Sequence, residues 1–164
     1  MSGQGAADDP RHSIPPEIKA RLQAELQRRG LASFVNQTRW RELRTAVETA
    51  LPFIPAWEAQ HLLSPPQSVR RGLTAVAGGH GWSHEEMPPF PLVEWVRMIP
   101  RNHAAVGGPL RPMQVVEDCS DDLRAVLVRL SIPFLEDEEG AFWVYGYAPA
   151  DPATLTPPLE AIAP

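Results

Sequence analysis

The sequence is short of cysteine and has no long apolar run. Its 164 residues include a single cysteine, Cys119, so no disulfide can form within the chain, and a reducing cytoplasm is the expected compartment. No segment approaches the ~20 apolar residues that span a bilayer, and no charged-then-apolar leader opens the sequence. We therefore expect neither a membrane as partner nor secretion.

Basic residues are also in the minority. The 15 lysines and arginines are outnumbered by 20 acidic residues, which gives a formal net charge of −5. Proteins that bind nucleic acid through its phosphates rely on lysine and arginine, so no nucleic acid is expected as a partner. The hydrophobic fraction of 43% is that of an ordinary globular protein, which excludes full disorder and a membrane bundle.

The chain divides into three parts by composition. Residues 1–12 are small, polar and without periodicity, which predicts a disordered N-terminus. Residues 148–164 contain five prolines, which block helix and sheet interiors, and this predicts a flexible, extended tail rich in proline and alanine. Residues 13–147 remain for a single domain of common size.

Three segments have apolar residues at helical spacing. The first covers 16–29 and is followed by Gly30, which can end a helix in the left-handed conformation. The second covers 38–51 and has one continuous apolar face. The third follows Ser120, its predicted N-cap, and begins with two aspartates that suit the positive end of the helix dipole.

The other apolar segments have the pattern of strands. Strands are predicted over 57–63, 91–99, 113–116, 132–135 and 141–147, and a further one could lie at 73–77. Apolar residues on both faces of 91–99 favour a central strand. Because helices and antiparallel strands occur in runs, we expect a single α+β domain, a mainly antiparallel sheet of about four to six strands with two or three packed helices.

A histidine-containing segment is the candidate metal site. His80, His84 and Glu85 could bind Zn²⁺ if they lay on a helix. Gly81 opposes a helix there, and the order of the residues differs from the His-Glu-x-x-His frame of zinc enzymes. We favour a polar loop and expect no metal or other cofactor. A small metal-dependent enzyme or metal sensor is the first alternative function.

Trp82 and Cys119 are the two single residues that could carry a function. A tryptophan in a glycine-rich loop either packs into the core or anchors an interface, and we assign Trp82 to partner binding. Cys119 adjoins a predicted helix start, which favours a thiolate, whereas four nearby acidic residues disfavour it. Since no histidine can be paired with it, a small buried hydrophobic side chain is the favoured interpretation.

Aromatic residues give a second alternative function. Trp95, Trp143 and Tyr145 could form the walls of a small-ligand site, which would make the chain a ligand-binding module. The simpler interpretation is that they pack in the core.

Acidic residues are concentrated late in the chain. Residues 113–147 hold eight of them against two arginines, whereas residues 1–51 have more basic than acidic residues. The eight are Glu117, Asp118, Asp121, Asp122, Glu136, Asp137, Glu138 and Glu139. A hairpin turn at 136–140 could reach back beside the helix start and create one acidic surface. That surface is either a solvated face or a docking surface for a basic protein, because charge complementarity speeds encounter.

Several short motifs carry a resemblance to a protein group. They are Asn36-Gln37-Thr38-Arg39-Trp40, Val93-Glu94-Trp95-Val96, Ile132-Pro133-Phe134 and Val144-Tyr145-Gly146-Tyr147. In patches over 34–147 the chain resembles small, uncharacterised bacterial proteins, some of which look like immunity proteins, which neutralise a cognate toxin by binding it. The resemblance supplies no catalytic residues.

These observations together predict a function in which no reaction is catalysed. We expect a cytoplasmic, non-enzymatic protein-binding module, an immunity-type inhibitor of a bacterial toxin. The eight acidic residues and Trp82 would bind the partner, a basic protein such as a cognate nuclease toxin, whose positive charge serves to hold phosphates.

Overall fold

Helices and strands follow one another as expected for an α+β protein. The structure, a computed structural model, describes residues 14–66, 81–82, 87–106 and 113–151. The helices in this part are α1 (Pro16–Arg29), α2 (Gln37–Thr49) and α3 (Ser120–Arg129), with a 3₁₀ turn at Phe90–Leu92. The strands are β1 (Leu31–Ser33), β2 (Ala56–His61), β3 (Val93–Ile99), β4 (Arg101–Val106), β5 (Met113–Asp118), β6 (Leu135–Glu136), β7 (Phe142–Tyr145) and β8 (Tyr147–Pro149).

A four-stranded antiparallel sheet in the order β2-β3-β7-β6 is the largest in the described part. β3 is paired on both sides, which confirms the prediction of a central strand. Both of its faces are apolar because one packs against the helices and the other belongs to a buried aromatic cluster. Its register places Arg97 opposite Glu58 on β2 and opposite Trp143 on β7. The sheet and its helices confirm the predicted α+β domain. None of the described helices is long and apolar enough to cross a bilayer.

Helices α2 and α3 cover one face of this sheet. Their buried residues pack with Val96 and Met98 of β3 and with Phe142 and Val144 of β7. α2 begins where expected, since the Asn36 side chain accepts a hydrogen bond of 2.8 Å from the Arg39 amide. The opposite face carries the buried aromatic residues of β3 and β7.

Helix α1 packs away from the main core. Its Leu22 joins Leu62 and Leu92 in a smaller apolar cluster beside β1 and β8, which form a separate two-stranded sheet. The predicted bounds of α1 are confirmed, and Gly30 has the left-handed φ of 65° that ends the helix.

Two predicted boundaries are wrong for local reasons, and one strand was not predicted. Residues 132–135 form a strand only from Leu135, because the Ile132 amide instead donates to the Leu127 carbonyl in the C-terminal cap of α3. Strand β4 follows Pro100 without the alternation that would have revealed it. The domain extends beyond residue 147, since Ala148 is buried and pairs with Ala32 of β1. Residues 1–12, 73–77 and most of the predicted tail, 152–164, lie outside the described residues.

Gly146 separates β7 from β8 and leaves no room for a side chain. Its amide donates to the Glu94 carbonyl at 2.8 Å and its carbonyl accepts from the Phe34 amide at 2.9 Å, so its backbone is held between two sheets. A Cβ at this position would lie 2.3 Å from the Val93 carbonyl oxygen and 3.1 Å from the Trp40 ring. Close approach of the backbone therefore requires glycine here.

We predict that Gly146→Ala lowers the free energy of unfolding by about 2–3 kcal/mol, because the added methyl group forces the strands apart. Gly30→Ala is the matched control, since its Cβ would meet nothing within 4 Å and it costs only about 1 kcal/mol for the left-handed φ. Urea unfolding measures both variants. Equal losses would contradict the argument from close approach.

Candidate partner-binding surface

The predicted acidic residues lie at one end of the sheet, which we call the acidic end (residues 117–122 and 136–139). Arg124 of α3 joins its two segments. Its Nη1 lies 2.8 Å from Asp121 Oδ1, and its Nη2 contacts the carboxylate of Glu136. The start of α3 and the turn between β6 and β7 therefore adjoin, as the sequence-based argument for one surface requires.

Arg101 makes a second connection between the two acidic segments. Its Nε lies 3.2 Å from Asp118 Oδ2 at the end of β5. Its guanidinium also packs over Gly140, 3.3 Å from where a Cβ would be. The β4–β5 hairpin is thus held against the β6–β7 turn, in which Gly140 has a positive φ of 79° that favours glycine.

The N-cap position of helix α3 is Cys119 and not the predicted Ser120, and the side chain of Asp118 binds the start of the helix. The Asp118 carboxylate accepts hydrogen bonds from the Ser120 hydroxyl and, at 2.8 Å, from the Ser120 amide, and Ser120 is the first helical residue. These bonds, together with Arg101, hold the pKa of Asp118 below its usual value. This carboxylate is therefore a structural group as well as a surface charge.

Asp137 organises the β6–β7 turn from within. Its Oδ1 accepts hydrogen bonds of 2.9 Å from the amides of Glu139 and Ala141. Its Oδ2 accepts one of 2.9 Å from the indole Nε1 of buried Trp143. All three bonds use the carboxylate that we had assigned to partner binding, so Asp137 has an internal role.

Arg97, which no motif in the sequence marks, is a buried residue that holds the acidic end together from within. It is only 2% exposed, and its guanidinium lies 3.3 Å from Glu139, 3.5 Å from Glu58 and 3.8 Å from Asp137. It also lies over the Trp143 ring, 5.8 Å from the centroid. An arginine in the middle of a largely apolar strand is the signal in the sequence that indicates such a residue.

Four carboxylates of the acidic end remain directed to solvent, namely those of Glu117, Asp121, Asp122 and Glu138. The side chain of Asp121 is 99% exposed even though it pairs with Arg124. Asp122 and Glu138 are exposed as well, and within the described ranges neither forms an ion pair. Glu117 is exposed with only a 3.5 Å contact to Asn102 Nδ2. These groups are available to a partner.

Trp82 does not belong to this surface. It is 2% exposed and packs against Trp40, with ring centroids 5.9 Å apart. Its amide donates to Glu48 Oε1 at 2.7 Å, which ties its loop to α2. The assignment of Trp82 to partner binding is wrong, because the side chain takes part in the main core.

The residues behind the alternative functions have different positions. His80, His84 and Glu85 lie outside the described residues, and within the described ones no group of three potential ligands could hold a metal ion.

Trp95, Trp143 and Tyr145 do come together, with the Trp143 ring 4.9 Å from Trp95 and 6.4 Å from Tyr145. All three are buried against one another, as core residues are.

Cys119 is buried, in agreement with its interpretation as a small hydrophobic side chain. It is 1% exposed. Burial, followed by the charges of Asp118 and Asp122, raises the pKa of its thiol to about 12. The thiol is therefore protonated at neutral pH and is not an activated nucleophile.

Comparison with known proteins gives one match. A model of a family described as a family of unknown function (DUF6678) matches residues 22–151, which include every described helix and strand except the start of α1. No curated protein matches the chain, and no solved structure does.

We predict that Asp137→Asn lowers the free energy of unfolding by about 2–3 kcal/mol, because an amide has one accepting oxygen and cannot serve both the backbone amides of the turn and Trp143 Nε1. Glu138→Gln is the neighbouring control and should change stability by less than about 0.5 kcal/mol. Urea unfolding followed by tryptophan fluorescence compares them. Loss of stability in both variants alike would show that Asp137 has no special role.

We also predict that Cys119 resists alkylation by iodoacetamide at pH 8. With a pKa of about 12 the folded thiol should react about 1,000-fold more slowly than in guanidinium-unfolded protein, where the pKa is ordinary. Mass spectrometry of timed samples gives both rates. Similar rates in the folded and unfolded states would show that the thiol is accessible and ionised.

Proposed function

We propose that this chain, which belongs to the DUF6678 family of unknown function, is a non-enzymatic protein-binding module that inhibits a basic bacterial toxin in the manner of an immunity protein. The observation that carries the proposal is the acidic end. There, exposed carboxylates lie beside acidic residues that are held in place by ion pairs with three arginines, Arg97, Arg101 and Arg124.

Rigid placement of the carboxylates favours binding. Arg101 and Arg124 each join the two acidic segments, and Arg97 holds the turn from below, so little conformational entropy is left to lose when a partner docks. The exposed groups Asp122 and Glu138 are free to meet a partner's cations. Charge of one sign on a fixed surface also steers a partner of opposite charge and speeds association.

The same charge explains how inhibition would work. A nuclease toxin needs lysine and arginine at its active surface to hold phosphates. Carboxylates that pair with those lysines and arginines would exclude the nucleic acid from the site, and no covalent bond would be made or broken. The partner chemistry is therefore a basic protein surface that normally binds an anionic polymer.

Co-expression tests the proposal directly. The product of the neighbouring gene, expressed alone, should arrest growth, and the intact chain should restore growth. The variant Asp122→Asn/Glu138→Gln should bind that product about tenfold more weakly at low salt, because two interfacial charges are lost. Titration calorimetry at two salt concentrations measures the affinity and its electrostatic part.

A charge-matched control separates the acidic end from net charge. Glu17→Gln/Glu42→Gln removes the same two charges from α1 and α2, and Glu17, like Asp122, lies in the first turn of its helix. This control should bind as the unmodified chain does. A neighbouring product that is harmless, or that stays toxic beside the chain, contradicts the proposal, as does equal weakening by both double variants.

A further inference from the structure

A groove lies at the other end of the sheet from the acidic end. Its walls are Arg21, Ala24, Glu25 and Arg28 on the outer side of α1 and residues 62–66 after β2, and its volume is about 530 Å³. That volume is within the range of roughly 300–1,000 Å³ in which small organic molecules bind. Apolar leucine and proline side chains form the wall opposite the helix.

The charge of this groove is positive at one position. Arg28 is neutralised by Glu25, which it contacts through Nε at 3.1 Å and through Nη2. Arg21, seven residues earlier and thus on the same side of the helix, has no carboxylate partner among the residues that the structure describes. The pKa of His61 is lowered, first by burial of the imidazole and second by the positive charge of Arg21.

A buried side chain at the end of β2 holds the loop wall in place. Gln60 is 3% exposed, and its Nε2 donates to the carbonyl oxygens of His61 at 2.9 Å and Pro65 at 3.2 Å. The Leu63 amide donates to His61 Nδ1 at 3.1 Å. The carbonyl groups of His61 and Pro65 are thus bound by Gln60, which favours a loop wall that is ordered before a ligand arrives.

From these features we infer that the groove binds an organic anion, a carboxylate or phosphate group carried on an apolar body. The guanidinium of Arg21 would pair with the anionic group, for which its planar donors are suited. The apolar body would lie on Leu63 and the two prolines that follow Ser64. This site is separate from the acidic end, so the inference does not depend on the proposed function.

The experiment uses three probes of one chain length, namely octanoate, octyl phosphate and octanol, titrated into the full chain by calorimetry and by NMR. Octanoate, octyl phosphate or both should bind and shift the signals of α1 and residues 62–66, and octanol should bind at least tenfold more weakly. Whichever probe binds shows whether the anionic group of the natural ligand is a carboxylate or a phosphate ester. Arg21→Gln should weaken its binding by about tenfold, because the paired charge is lost.

Two further variants make the outcome decisive. Ala24→Glu places a carboxylate in the groove at an exposed helical position and should also weaken binding about tenfold. Arg129→Gln, at the exposed end of α3, removes the same charge as Arg21→Gln and should leave binding unchanged. The inference is overturned if neither anion binds, if octanol binds as well as the anions do, or if Arg21→Gln behaves like Arg129→Gln.

Discussion

Burial of the Arg97 guanidinium in the central strand is the constraint on which the acidic end depends. A charge removed from water costs several kcal/mol unless it is paired and hydrogen-bonded. The partners of Arg97 come from β2 and from the β6–β7 turn, so the strand, its neighbour and the turn are stable only together. Trp143 closes the arrangement, since it lies under the guanidinium and donates to Asp137.

The acidic residues of this end are of two kinds. Asp118, Glu136 and Asp137 are held by arginines or by backbone amides, and they keep α3 and the turn in place. Asp122 and Glu138 are exposed beside them. A cluster of like charges normally destabilises its own elements, and here the interleaved arginines offset that repulsion. The exposed charges can therefore serve a partner without a large loss of stability.

Local patterns predicted much of the fold and less of the site. The spacing of apolar residues depends on one element at a time, so it revealed α1, α2 and the centre of the sheet. Arg97 and Asp137 are 40 residues apart, and only the register of β3 and β7 brings them together. The burial of Trp82 likewise depends on Trp40, a residue of α2 that lies 42 positions earlier in the sequence. Contacts of this kind leave no periodic trace in the sequence.

Strand β2 connects the two ends of the molecule. Glu58, which pairs with Arg97, and Gln60, which holds the loop of the groove, are two residues apart and therefore face the same side of the sheet. β3 spans the distance between the ends, about 20 Å for a strand of this length. A one-residue slip of β2 would turn both side chains to the opposite face. The register of β2 against β3 therefore determines the positions of Glu58 at the acidic end and of Gln60 beside the groove.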